Sequence, residues 1–369
     1  TNMNFQISVD TAIQLFNEPC SVASGKKTNI TALDYIHLSI ENGIAEVIGT
    51  DTQALIRTSA NVDVAENLEV CIESKKLLAV ITGCNDNSKN LKFKFSQDKV
   101  IISYARSKVS IATMDSEAYP IPEIKIPNKF QFNCKTEELK VALSNILYAK
   151  ANNDSRAFLN HVSFNIQGKS MSLYASDGHR LASNTVTVEE SSNDLQGLIP
   201  SKLAEMILQL PQSELVSFFF DSSHFFCVSN NTVIASKFVA TQFTDVTHIL
   251  NTNLIATATI LTSDLIGSVK RIRTFLTGVS IAKLTLQVSG GELFLNAQAD
   301  KANVIDDVVT LESANADSEH VFSLNPSYLF DALKNVKSKS VSVSFTPNSL
   351  LKITDPNNPY LSSVIMAMR

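Results

Sequence analysis

Cysteine is scarce in this sequence and poorly placed for covalent or metal chemistry. The 369 residues hold five, at positions 20, 71, 84, 134 and 227, an odd number with no Cys-x-x-Cys pair. That argues against a disulfide framework and a structural zinc site, and the expected compartment is a reducing cytosol. The histidines at 37, 161, 179, 224, 248 and 320 form no His-Glu-x-x-His pair or other metal spacing. Long apolar runs are missing too. Leu215 to Phe220 is a buried strand at most, far short of the roughly 18 apolar residues that span a bilayer. The stretch after Thr1 lacks the charged-then-apolar pattern of a secretory leader. No Gly-x-Ser-x-Gly elbow occurs. Gly25-Lys26-Lys27 lacks the earlier glycine and the following Ser or Thr of a phosphate loop. Neither a cofactor nor ATP hydrolysis is therefore expected. Net charge is −5, which taken alone speaks against a nucleic-acid surface; where the cations lie matters more than the sum.

What is present is a threefold repeat. Ala175-Ser176-Asp177-Gly178-His179-Arg180-Leu181-Ala182 has two degenerate echoes: Asp51 after Val47-Ile48-Gly49-Thr50, and Asp300 after Leu295-Asn296-Ala297-Gln298-Ala299. The aspartates lie 126 and 123 residues apart, a third of the chain each time. Helix-like segments open at Ser74, Ser201 and Pro326, spaced by 127 and 125 residues. A third echo marks the start of each copy at Phe5, Phe130 and Thr259. So long a period means whole domains rather than a solenoid. The boundaries read as 1–125, 126–253 and 254–369.

Within one copy, Asp10 to Phe16 and Lys75 to Ile81 carry helical spacing, the second stopped near Gly83. The runs 38–47, 53–62 and 91–103 alternate as strands, and similar runs recur at 163–174, 217–228, 284–295 and 341–353. The fold class is α+β: three tandem domains of antiparallel sheet with two helices each, packed on one face. Ser176, Asp177 and His179 invite a hydrolase reading. Neighbours along a strand point to opposite faces, so Ser176 and Asp177 cannot converge locally. No enzymatic role is expected.

These repeats, with Arg156-Ala157-Phe158-Leu159-Asn160, Ser176 to Ala182, Asn325-Pro326-Ser327-Tyr328 and the terminal Val364-Ile365-Met366-Ala367-Met368-Arg369, make the chain resemble the bacterial DNA polymerase III beta subunit family, the sliding clamps. The resemblance covers essentially the whole chain. It implies a head-to-tail homodimer closing into a ring of six domains, with helices inside and sheets outside. Such a ring encircles double-stranded DNA without regard to sequence and tethers the replicative polymerase. A separate clamp loader opens it, and no membrane is involved. Loose contact suits sliding, because each neutralised phosphate adds salt-sensitive affinity.

The resemblance implies three sets of residues. DNA-facing cations would be Lys75, Lys76, Lys202, Lys270, Arg271, Arg273, Lys334 and Lys337 on helices, with Lys26 and Lys27 in a loop. The pairs 270/273 and 334/337 are three apart and share a helix face. Ordinary solvated helix charges are the competing reading for any one of them. A groove for a short linear motif, roughly Gln-x-Leu-x-Phe, would comprise Leu159, Ser176, Gly178, His179, Arg180, Leu181, Thr244, Ile249, Asn325, Tyr328, Leu350, Val364, Met366 and Met368. Leucine and methionine supply adaptable walls, Gly178 permits close backbone approach, and His179, Arg180 and Asn325 offer rim hydrogen bonds. The ring joint would use Val109 and Ile111 on one side and Phe275 and Leu276 on the other. The chain departs from the family pattern at Thr244, Val246, Thr247 and Ala367, so its preferred peptide is expected to differ. The alternative to a clamp is a three-repeat peptide-binding scaffold that encircles nothing.

Overall fold

A computed structural model describes residues 3–24, 31–64, 66–86, 89–96, 98–121, 125–240, 245–315 and 320–368. Lys26, Lys27 and Thr244 lie outside them. The first repeat runs β1 (Asn4–Ser8), α1 (Val9–Ser24), β2 (Tyr35–Glu41), β3 (Ile44–Thr50), β4 (Ala54–Asn61), β5 (Leu68–Glu73), α2 (Ser74–Thr82), β6 (Asn90–Ser96), β7 (Lys99–Tyr104) and β8 (Ser107–Met114). The second runs β9 (Phe130–Lys135), α3 (Thr136–Ile146), β10 (Val162–Gln167), β11 (Ser170–Ser176), β12 (Arg180–Ser191), β13 (Leu195–Ile199), α4 (Ser201–Ile207), β14 (Leu215–Phe220), β15 (His224–Ser229) and β16 (Thr232–Lys237). After a short α5 (Thr247–Leu250) the third runs β17 (Ala256–Leu261), α6 (Thr262–Phe275), β18 (Leu284–Ser289), β19 (Glu292–Gln298), β20 (Val304–Ala314), β21 (His320–Leu324), α7 (Pro326–Leu333), β22 (Ser340–Phe345), β23 (Leu350–Asp355) and β24 (Asn358–Met366).

Each repeat is therefore strand, helix, four strands, helix, three strands, and every pairing between strands is antiparallel. The alternating runs read from sequence as single strands at 38–47, 91–103, 163–174, 217–228, 284–295 and 341–353 are hairpins. In the first, Asn42 and Gly43 turn the chain with φ of 51° and 77°, as the tightest hairpin loops require. Alternation resumes across so short a turn, so the period-2 signal does not register the break.

The helices follow from their inward stripes. Leu265, Val269 and Ile272 of α6 are buried with Leu329, Ala332 and Leu333 of α7. Each leucine, valine or isoleucine among them contributes about 1.5–3 kcal/mol of burial. Leu77 and Ile81 of α2 join a first-repeat core in which the rings of Phe5 and Phe93 stack 4.7 Å apart. The exposed faces of α2 and α6 carry Lys75 and Lys76, and Lys270 and Arg271. Gly49 in β3 explains how closely α1 lies on its sheet: a Cβ there would meet the Pro19 carbonyl oxygen at 2.1 Å.

The chain forms two compact units, Thr1–Glu137 with Val188–Asn193 and Pro200–Ala240, and Glu138–Thr187 with Asp194–Ile199 and Thr241–Arg369. Inside the first unit, β16 pairs with β4, setting Ala235 opposite Leu55. Inside the second, β24 pairs with β12, setting Val364 opposite Leu181. β4, β12 and β20 hold the same place in their repeats, as do β8, β16 and β24. Among the described residues, 107–112 of β8 pair only with β7, and 304–310 of β20 pair only with β19.

Candidate partner groove and nucleic-acid face

The aspartate echo is a turn. Asp177 Oδ1 accepts the backbone N–H of His179 at 2.9 Å and of Arg180 at 3.0 Å. Asp51 Oδ1 does the same for Gln53 and Ala54 at 3.1 and 3.0 Å, and Asp300 Oδ1 for Ala302 and Asn303 at 2.9 and 3.0 Å. In each repeat the carboxylate satisfies the donors of the loop that leads into β4, β12 or β20. This accounts for the most visible pattern in the sequence without any catalysis.

In the second unit that turn anchors a charged node. Asp177 Oδ2 accepts Arg180 Nε at 3.0 Å, and Arg180 Nη1 donates to Asp331 Oδ2 at 2.8 Å. The same guanidinium lies 4.5 Å from the Tyr328 ring centroid and 5.3 Å from that of Tyr148. Burial pushes the Tyr148 phenol up to about 12, and its hydroxyl bonds Ser363 Oγ at 2.7 Å. Arg180, with a side chain only 14% exposed, is thus committed to fastening β12 onto α7. The sequence reading gave it to the rim as a donor for a peptide. Gly178 has φ +89°, and a Cβ there would stand 2.8 Å from Arg156 Nη2. Arg156 is itself bonded to Asp154 at 3.0 Å, which holds that carboxyl down to about 2.

Beside the node lies an apolar floor. Tyr174, Leu181 and Val364 are buried together, with Val246, Ile249, Leu250 and Leu350 packed against them, as a cluster apart from the third repeat's main core. The carbonyls of Leu159 and Ser176 share the N–H of Ala151, at 2.9 and 3.2 Å, and Ser176 Oγ donates to the Arg180 carbonyl at 2.7 Å. Lys352 Nζ donates to the Leu250 carbonyl at 2.8 Å, and burial holds its ammonium below the ordinary lysine range. The chain's last described residues are pinned: Met366 N–H donates to His179 O at 2.9 Å, Ala367 to Ser349 at 3.1 Å and Met368 to Ser323 at 2.7 Å. Met366 nonetheless leaves 49% of its surface exposed. Asn325 Oδ1 caps α7 by accepting Ser327 N–H at 2.9 Å, with Pro326 following it. That oxygen serves the helix, where the sequence reading assigned the side chain to a peptide.

The structure thus places Leu181, Val364, Ile249 and Leu350 in one cluster and sets Arg180 on Tyr328. Sequence reasoning missed Tyr148, Tyr174, Val246, Leu250, Asp331 and Lys352. For Val246 and Leu250 a signal existed, because Ile249 and Leu250 follow Val246 at the helical spacings of three and four. Tyr148 and Asp331 gave none, being brought to Arg180 only by the tertiary fold.

The proposed DNA-facing cations differ in their surroundings. Lys75, Lys270, Lys334 and Lys337 are exposed on or just beyond α2, α6 and α7. Lys76 is exposed and 2.6 Å from Glu73, whose bond raises its pKa. Lys202 stands 3.2 Å from the buried carboxylate of Asp51. Arg271 is bonded to Asp307 and Ser268. Arg273 stacks over Phe330 at 3.9 Å, with Lys334 on the same ring at 5.7 Å. Of the four joint residues, Val109 is 37% exposed and Phe275 half-buried, whereas Ile111 and Leu276 lie in their own repeats' cores at 1% and 3%.

Three family models, for the N-terminal, central and C-terminal domains of the DNA polymerase III beta subunit, match residues 3–124, 133–245 and 247–369. The chain belongs to that family. A beta sliding clamp of Haemophilus influenzae is 25% identical over 385 aligned positions, covering all of both chains. One of Streptococcus pneumoniae serotype 4 is 23% identical over 354, covering 93% of this chain and 92% of the relative. Among solved structures, a DnaN sliding clamp from Pseudomonas aeruginosa bound to griselimycin superposes with a TM-score of 0.88 at 21% identity, over all of both chains. The beta subunit of Streptococcus pyogenes DNA polymerase also reaches 0.88, at 19% identity and full coverage. The three-domain clamp fold and the function of a sliding clamp, a processivity factor without catalysis of its own, follow from this membership. A scaffold that encircles nothing is not favoured. Among the described residues no helix is long and apolar enough to cross a membrane.

Proposed function

We propose that two copies of this chain close head to tail into a ring around duplex DNA, with three domains per copy at 1–125, 126–253 and 254–369. The observation that supports closure is the repeated joint: β4 takes β16 and β12 takes β24, so β20 is left to take β8 of a second copy. An edge left open by one repeat and filled in the other two is a template for strand addition. Val109 and Phe275 are the joint residues with surface to give. The exposed lysines at 75, 270, 334 and 337 would meet the phosphate backbone, with Lys26 and Lys27, and Lys76 less so while Glu73 holds it. Arg271, Arg273 and Lys202 would contribute less, being engaged with protein groups already.

The groove proposed for partners (polymerase, clamp loader and other proteins bearing the motif, all in the cytoplasm) is the floor of Leu181, Ile249, Leu350 and Val364 with exposed Met366 as its movable wall. Arg180 and Tyr328 would form its rigid end, and Leu159, Ser176, Gly178, His179, Asn325 and Met368 its frame. The test is retention on nicked circular duplex after loading by a clamp loader from a related bacterium. Retention on the circle with rapid loss after linearisation is expected; equal behaviour on both forms, with the loader shown active on this ring, would sink the encircling reading.

A further inference from the structure

The joint between the first and second repeats lies within unit one and is built as the second–third joint is built within unit two. In each, an aspartate turn hands the chain to an edge strand, on which the last strand of the next repeat pairs. Leu55 faces Ala235 as Leu181 faces Val364, and Ala54 faces Ser236 as Arg180 faces Ile365. The same register sets Lys237 in the place of Met366. Leu33, in the 3-10 turn Thr31–Asp34, corresponds to Leu159 in the turn Ala157–Asn160. His224 opens β15 as Leu350 opens β23. The fold makes the groove twice, with different walls.

At the first joint these positions surround a cavity of about 200 Å³ lined by Leu33, Leu55, Pro120, Ala235, His224 and Lys237, among others. Leu33, Leu55 and Ala235 are buried and Lys237 is exposed. Sites that hold whole small ligands run to roughly 300–1,000 Å³, whereas a cavity of roughly 150 Å³ admits benzene. The space therefore suits a single leucine or phenylalanine side chain. Where the groove in unit two presents Leu350 and Met366, this one presents an imidazole and an ammonium. Of the nearby acids, Asp221 is held in its own turn by the N–H groups of Ser223 and His224 at 2.7 and 2.8 Å, and Asp51 by those of Gln53 and Ala54 and by Lys202 at 3.2 Å. The cationic rim complements a carboxylate next to the apolar anchor.

We propose that this cavity is a second peptide-docking site, for a partner segment carrying one leucine or phenylalanine beside an acidic side chain or a terminal carboxylate. It goes beyond the groove reading and does not depend on what fills that groove. The test counts peptides per chain by native mass spectrometry and follows affinity by anisotropy, with fluorescein-labelled Gln-Leu-Asp-Leu-Phe ending in a free carboxylate. The full-length chain should bind two. A chain ending at Ile365, which loses the wall of the groove in unit two, should bind one. In that shortened chain Lys237→Glu should weaken binding about tenfold and His224→Trp, which fills the cavity, should remove it. Unchanged melting temperatures would establish that the variants are folded; Lys237→Glu, at an exposed position, keeps the test open if His224→Trp is not. One peptide on the full-length chain and none after shortening would overturn the proposal, as would binding that ignores both substitutions. If shortening changes nothing while His224→Trp abolishes binding, the groove reading fails and the cavity stands.

Discussion

Arg180 shows how a residue's surroundings redirect its chemistry. Two carboxylates and two aromatic faces hold its guanidinium, a geometry that needs a planar fork. Arg180→Lys should retain one carboxylate and lose the other, and Arg180→Ala should cost about 2 kcal/mol by removing the charged hydrogen bonds to Asp177 and Asp331. Urea denaturation checks both; an alanine variant as stable as the parent would remove the node from the account. Gly178→Ala should weaken peptide binding through backbone strain at φ +89° and displacement of Arg156, without dissociating a dimer. Aspartates also set the acid limit. Burial raises the carboxyls of Asp307 and Asp355, but bonds from Arg271 and Ser268, and from Ser338 and the N–H groups of Lys337, Ser338 and Asn357, outweigh it and hold both below the ordinary range. Since the folded value is the lower one, their stabilisation is complete above the unfolded value of about 4 and is lost as pH falls through the folded value. Arg271→Met should shrink the stability lost between about pH 5 and pH 2, which denaturation curves at the two ends would reveal. The Asp-turn aspartates were legible in the sequence because their partners lie two and three residues on; Arg180's partners at 148, 328 and 331 were not.

Among elements, the edge strands decide assembly. β8 and β20 repeat the places of β16 and β4, and among the described residues 107–112 and 304–310 are paired on one side only. Val109→Glu should set unpaired charge on such an edge and raise the dimer dissociation constant at least about tenfold, with the fold unchanged. Sedimentation velocity at low micromolar concentration would decide; an undiminished dimer would move the joint elsewhere. Phe275 is half-buried and Leu276 lies in the core of its own repeat, so the proposed joint would draw on the surface of Phe275 more than on that of Leu276. Helices were legible from their apolar stripes, since spacing alone places Leu265, Val269 and Ile272 on one face. Strand number was not, because a two-residue turn such as Asn42-Gly43 preserves alternation and the loops at 221–223 and 346–349 are scarcely longer.

For the whole molecule, the net charge is −5 although exposed lysines recur on α2, on α6 and just beyond α7. Lys270→Ala with Lys334→Ala should flatten the salt dependence of DNA binding by about one unit of log–log slope for each phosphate no longer neutralised. An equivalent pair at Arg271 and Lys202 should change it less, since Asp307 and Asp51 already hold those cations. Salt titrations on open-circular duplex compare the two.

Three domains, the helix faces and the aspartate turns were written in the sequence, because each arises from residues near one another along the chain or from a period that repeats. The joints, the Arg180 node and the difference between an engaged and an exposed cation came from the tertiary structure alone. The joints and the Arg180–Asp331 bond link residues more than a hundred positions apart, and all of these energies depend on burial and on partners that no local pattern specifies.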